Sequence, residues 1–293
     1  MKQEPKTLLV FVDGLGLGPD DPAVNPLHGG ACPCLAGLLR EAVPVDARLG
    51  VAGLPQSATG QATLLTGLNA AALVGRHVEG LPGPELKRLV QEQNVFGQLM
   101  ARGYRCTFAN AYFTDDMAEV RARRFQSVTT VASLAAFGAV RDTAAMLGNR
   151  AVYQDLTREF LRTRGYTGPT VGPREAAEHL LAIAEEHDFT LFEYFQTDLL
   201  AHKGNPEDLR RMLGRLDEFL AGVLRFADEP GRLFVLTSDH GNIEDLRTRR
   251  HTLNPVPLAA RGEGAEELKT AVKSLTDFVP ALLQLYPQKK LET

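Results

Sequence analysis

Apolar residues fall in short blocks separated by amphipathic stretches, and this alternation repeats along most of the chain. Thr7 to Val12 is an uninterrupted apolar, β-branched run that stops at Asp13-Gly14, the pattern of a strand buried on both faces. Residues 85–102 place Leu86, Leu89, Val90, Phe96, Leu99 and Met100 near helical spacing, with Gly103 as the stop. Tyr104 to Ala109 then reads as a strand. The same order recurs as a helix over Pro173 to His187, a strand over Phe189 to Phe195, a helix over Pro206 to Phe226 and a strand over 233–237. Pro255 to Leu258 has the look of a short edge strand, where proline is tolerated, and Glu266 to Tyr286 that of a closing helix.

Strands alternating with helices predict an α/β fold, a mostly parallel sheet sandwiched by helices. Residues 110–172 break the rhythm. They contain helical pieces such as Val152 to Arg164 and a glycine- and proline-rich connection, GYTGPTVGP, at 165–173. The expected organisation is a single catalytic domain over 1–293, with about 110–172 as a small cap or insertion within it.

Composition narrows the partners. With 293 residues, 44% of them hydrophobic, the chain can bury a substantial core. A formal charge of -4 gives no general basic field, so no nucleic-acid partner is expected. The local clusters Arg121, Arg123, Arg124 and Arg247, Arg249, Arg250 read as solvated faces. The opening MKQEPKTLLVFVDG has too short an apolar run for a signal segment, and no stretch approaches the ~20 apolar residues of a membrane helix. A cytoplasmic protein with no membrane partner is expected; the oligomeric state stays open. Three sparse cysteines fit that compartment, and Cys32-Pro33-Cys34 is read as incidental. DGLGLG at 13–18 fails as a dinucleotide fingerprint, because Pro19 stands where the third glycine belongs.

The candidate chemistry lies in five segments. They supply Asp13, Ser57, Asp198 with His202, Asp239 with His240, and His251. Three segments directly follow expected strands, which in a parallel sheet brings them to one edge. Asp198 and His202 are four apart, so one helical turn would present both to one ion. Three carboxylates and three imidazoles suit two divalent metal ions, Mn2+ or Zn2+, better than an all-oxygen ion. Two such ions against three aspartates leave the site near +1, which favours an anionic, phosphorylated substrate. Ser57 precedes a helix expected to begin near Gly60, where backbone N–H groups can hold phosphate oxygens; it could equally be a helix N-cap.

Together VDGLG, LPQSATGQ, TDLLAHKG, TSDHGN and RHTLNPVP resemble the alkaline phosphatase superfamily of two-metal enzymes. The branch that looks nearest is the cofactor-independent phosphoglycerate mutase and phosphopentomutase group. The resemblance implies that Asp198, His202 and His251 hold one metal, and that Asp13, Ser57, Asp239 and His240 hold the other. Ser57 matches the phosphorylated nucleophile, with Thr59 as the fallback. Thr59, Gly60, Arg76 and Lys203 are the candidate substrate contacts. Gln61 departs from the histidine of the mutase branch, and the chain has no room for the large inserted domain of a phosphoglycerate mutase. The implied function is a phosphatase or phosphomutase acting on small phosphorylated metabolites through a phosphoserine on Ser57, with a slight lean to hydrolysis. A phosphodiesterase or phosphonate hydrolase, and a non-catalytic metal-binding regulatory protein, are the alternatives.

Overall fold

The computed structural model describes residues 5–203 and 205–289. Six strands form one sheet: β1 (Lys6–Val12), β2 (Val43–Val45), β3 (Cys106–Phe108), β4 (Phe189–Tyr194), β5 (Arg232–Thr237) and β6 (Val256–Gly262), in the order β2-β6-β5-β1-β4-β3. β5, β1, β4 and β3 run parallel, whereas β6 is antiparallel to both β5 and β2. The expected α/β sandwich with a mostly parallel sheet is therefore the observed one.

Alternation along β1 divides the core. Leu9 and Phe11 pack with the helices Ser57–Thr66, Pro84–Gln93, Val95–Met100 and Phe278–Leu285 on one face. Leu8, Val10 and Val12 pack with Pro33–Glu41, Pro173–Glu185 and Pro206–Val223 on the other. Burial on both faces accounts for the unbroken apolar run in the sequence.

Several elements differ from expectation for local reasons. The helix expected over 85–102 breaks at Asn94, whose Oδ1 accepts from Gly97 N at 3.0 Å while its Nδ2 donates to Val90 O at 2.9 Å, so one side chain closes one helix and caps the next. The expected closing helix is likewise interrupted, because Ser274 and Asp277 form a capping box that starts a new turn. Val152 is not helical; it bridges to Asn110, and only Phe160–Arg164 turns, as a 3-10 helix. β6 is longer than the expected four residues and lies inside the edge. The three-residue β2 covers it, Pro257 sits opposite Pro44, and the register with β5 begins only at Leu258, so that ladder loses no donor to proline.

Residues 110–172 are stitched to the end of β3, with Ala111 N donating to Val152 O and Tyr112 N to Arg141 O. The helix Val128–Phe137 joins the main core, while Met146, Tyr153, Leu161 and Tyr166 form a small cluster of their own. All three cysteines are free, and burial, followed by the Asp217 charge, pushes the Cys32 thiol up to about 12, which makes it inert. No helix among the described residues is long and apolar enough to cross a membrane.

Candidate metal centre

The sheet order places β5, β1 and β4 side by side, and a candidate ligand follows each: Asp239 two residues after β5, Asp13 directly after β1, and Asp198 in the helix that follows β4. Ligands of open α/β sheets sit outside the carboxyl ends of the strands, and these three side chains lie there. Because β6 runs antiparallel, the segment leading into it starts from the same edge, and Thr252 N donates to Gly241 O at 2.9 Å to lay His251 beside His240. The two rings stack with centroids 3.7 Å apart. Asp198 and His202 share the helix Gln196–Lys203, with His202 Nε2 3.4 Å from Asp198 Oδ2.

Two groups of ligand atoms converge. Asp13, Asp239 and His240 form one, with His240 Nε2 3.2 Å from Asp13 Oδ1 and 3.6 Å from Asp239 Oδ2. Asp198 and His251 form the other with His240 at its border; His251 Nε2 lies 3.5 Å from Asp198 Oδ1 and 3.2 Å from His202 Nε2. Ser57 Oγ stands 3.0 Å from His240 Nε2. All seven residues expected to meet from five segments are thus brought to one place.

The donor set fits divalent ions. Each imidazole offers Nδ1 to a backbone carbonyl: His240 to Gly241 O at 3.3 Å, His202 to Arg249 O at 2.7 Å, and His251 to Pro55 O at 2.8 Å. A carbonyl only accepts, so a proton sits on Nδ1, and in the neutral imidazole the Nε2 lone pair is left facing the cluster, the usual outer-shell arrangement of metal-ligating histidine. Asp13 Oδ1 and Asp239 Oδ2 are buried without a hydrogen bond, which a bound cation would remedy.

Charge crowding is severe without a cation. Burial, then the neighbouring Asp239 charge, raises the Asp13 carboxyl well above the carboxylate range against the opposing pull of His240. For His240, burial acts downward, but Asp239, Asp13 and Asp198 outweigh it and push the imidazole up to about 10. At Asp198 burial is also outweighed: the adjacent His251 imidazole, the His240 charge and the Asn242 amide hold its carboxyl well below the ordinary value. Whenever no cation is bound, a proton on His240 offsets part of the carboxylate charge.

Ser57 is the first residue of the helix Ser57–Thr66, three residues before the expected start, and Gln56 holds the N-cap position. Of the candidate substrate contacts, Thr59 is fully buried; its hydroxyl donates to Gln56 O and accepts from Val78 N, so it fastens the 78 segment and does not face the site. Ala58 N is engaged by Val78 O and Gly60 N by Gln56 O. Gly60 instead permits close packing: a Cβ there would lie 2.6 Å from Asp239 O. Arg76 and Lys203 are exposed and line neither of the cavities that meet at Ser57. One cavity, of about 520 Å³, has Arg249 and Arg250 beside His202 and His251; the other, of about 410 Å³, runs under the 110–172 segment. The cluster containing Arg249 and Arg250, read in the sequence as a solvated face, therefore borders the site.

Sequence reasoning missed three supports. Gln61 donates to Asp13 Oδ2 at 3.2 Å, and Asn242 to Asp198 Oδ1 at 2.6 Å. Glu244 is fully buried and accepts from Gly16 N, Asn242 N, Asn254 Nδ2 and the Thr252 hydroxyl, tying the 13–18 loop to the loops bearing His240 and His251. Gly16 and Gly241 leave room for it; a Cβ at either would meet its Oε1 at 2.3 Å. The glycines of DGLGLG were the available signal, because they mark a close approach without naming the partner.

Glu244→Gln would set an amide NH2 against donors. Its expected cost is about 1–3 kcal/mol of stability with roughly 10–100-fold weaker metal binding, checked by urea denaturation and metal titration. A pH effect follows from His240. Its raised value stabilises the metal-free fold fully below its ordinary value of 6.5, and that contribution is lost as pH climbs towards about 10. Ionisation of Asp13 acts in the same direction. The urea midpoint of chelator-treated protein should fall across that window and flatten when metal is restored; a flat profile without metal would contradict the charge account.

The sequence model of the metalloenzyme superfamily matches residues 5–285. The chain is similar to the 2,3-bisphosphoglycerate-independent phosphoglycerate mutases of Desulforudis audaxviator, 29% identical over 123 residues, and Vibrio parahaemolyticus, 32% identical over 126 residues. Each match covers 40% of this chain and 24% of the mutase, so it spans about a quarter of those relatives. Among solved structures, the PH0037 protein from Pyrococcus horikoshii superposes over all of both chains with a TM-score of 0.60 at 14% identity. The alkaline phosphatase of the Antarctic bacterium TAB5 gives 0.55 at 12% identity, over 98% of this chain and 100% of that one. The phosphoglycerate mutase of Leishmania mexicana gives 0.54 at 12%, over 99% and 97%. At these identities the structures speak for the fold alone.

Proposed function

The chain belongs to the metalloenzyme superfamily, and on that premise we propose that it is a two-metal phosphotransfer enzyme acting on phosphate monoesters through Ser57. The observation that carries the proposal is the position of Ser57: its Oγ lies 3.0 Å from His240 Nε2, at the start of a helix and at the mouth of both cavities. Asp13, Asp239 and His240, with Ser57, would hold one ion, and Asp198, His202 and His251 the other. Bound there, the ions supply positive charge to the phosphoryl oxygens and lower the pKa of the serine hydroxyl.

The chain's own groups supply the rest. The Ser57 hydroxyl loses its proton to solvent and Oγ bonds to phosphorus; the ester P–O bond breaks, and the departing alkoxide takes up a proton from solvent. Water then adds to the phosphoserine and gives up a proton to solvent, and the Oγ–P bond breaks to release phosphate while Oγ takes up a proton and restores the hydroxyl. Gln61 and Asn242 hold Asp13 and Asp198 in place. Arg249 and Arg250 give their cavity the positive charge that draws a phosphate dianion in. A mutase must shelter its phosphoenzyme from water. Ser57 opens onto two cavities, of about 410 and 520 Å³, and this favours hydrolysis over intramolecular transfer.

Phosphate release by manganese- or zinc-loaded protein tests the reading. Ser57→Ala should lower turnover by about 10³-fold or more while leaving the fold intact, and chelation should abolish it. Turnover unaffected by the substitution would remove Ser57 from the chemistry; metal binding with no turnover of any phosphate ester would favour a non-catalytic metal protein.

A further inference from the structure

The cavity of about 410 Å³ has a character that a small polyol phosphate would not use. Its walls carry Phe108 and Tyr112 from the end of β3, Phe113, Tyr153, Phe195 after β4, and the exposed Leu81. Asp13, Ser57 and Asp198 line the same cavity, so it begins at the reacting centre. The aromatic groups are held in place. Tyr112 Oη bonds to Thr130 Oγ1 at 2.6 Å, leaving its ring as the remaining surface, and Phe113 stands edge-on to Tyr166 with centroids 5.9 Å apart. Polar groups share the walls with these rings: Arg164, whose guanidinium lies 5.9 Å over the Phe113 ring, Arg123, Asn110 and Glu193, whose carboxyl is pushed up to about 7 by burial. A preformed, aromatic-lined cavity with a few fixed polar groups is the form taken by sites for ring-bearing ligands.

We infer that the alcohol esterified to the phosphate carries a planar aromatic or heteroaromatic ring, which stacks among Tyr112, Phe113, Tyr153 and Phe195 while the phosphate sits at Ser57. The inference rests on the phosphotransfer reading for the place of the phosphate; the ring site itself is independent of turnover. An aryl-alkyl group and a nucleoside share this chemistry.

Binding of non-hydrolysable phosphonates to the metal-loaded chain, by calorimetry, separates this inference from the phosphotransfer reading. Phenethylphosphonate should bind about tenfold or more tightly than butylphosphonate, a difference close to 1.4 kcal/mol, in both the native chain and Ser57→Ala. Phe113→Ala should erase the preference, and Leu81→Ser, an exposed change that leaves the core untouched, should reduce it. Equal affinities for the two phosphonates, or a preference that survives Phe113→Ala in folded protein, would overturn the inference. In turnover, adenosine 5′-phosphate against ribose 5-phosphate, and phenethyl phosphate against butyl phosphate, compare near-identical leaving groups. An advantage confined to the nucleotide assigns the ring to a nucleoside, an advantage shared by both pairs supports a general aryl site, and Ser57-dependent release without any ring preference contradicts the ring site while sparing the phosphotransfer reading.

Discussion

Everything at the carboxyl edge of the sheet depends on holding three aspartates in a space too small for their charges. The ligand atoms of Asp13, Asp239 and His240 all lie within 4.8 Å of one another. Two carboxylates at about 5 Å in an effective dielectric of about 20 repel by roughly 3–4 kcal/mol, before the cost of burying them. Side chains on loops alone would move apart. Here they follow three neighbouring strands whose registers are fixed by parallel ladders, so the repulsion is relieved by protons or by bound cations rather than by displacement. The proton on His240 is a partial answer; two divalent ions are a complete one.

That constraint explains features that look unrelated. Gly14 adopts φ +71°, and a Cβ there would lie 2.8 Å from Asp198 Oδ1; a Cβ on Gly60 would meet Asp239 O. These glycines let the β1 loop and the serine helix close on the carboxylates from either side. Glu244 serves a related end one layer out. It collects donors from three loops and so fixes the backbone on which His240 and His251 stand. The ligand cluster is braced where it holds charge, and two cavities reach Ser57, one bordered by Arg249 and Arg250, the other by aromatic rings together with Arg123 and Arg164.

Much of this was legible in the sequence because strand ends are. Asp13, Asp198 and Asp239 each terminate an apolar run, and a parallel sheet leaves such positions one edge to occupy. His251 was among the candidate ligands read from the sequence, but its place beside His240 was not legible, since it depends on β6 running antiparallel, a reversal that periodicity does not reveal. β2 escaped notice because three residues centred on Pro44 carry no alternation. Glu244 escaped because a buried carboxylate and a surface one look alike in sequence; only the donors around it distinguish them. Arg249 and Arg250 are solvent-exposed as read, but that they border a cavity beside His202 and His251 was not legible; Thr59 read as a substrate contact because its spacing from Ser57 says nothing of the Val78 segment packed against it.

The most direct measurement is an anomalous-scattering map from crystals grown with manganese. The account predicts two peaks per chain, one among Asp13, Asp239, His240 and Ser57, the other among Asp198, His202 and His251. A single peak, or ions bound away from these residues, would contradict the claim that the crowded carboxylates exist to hold a two-metal centre.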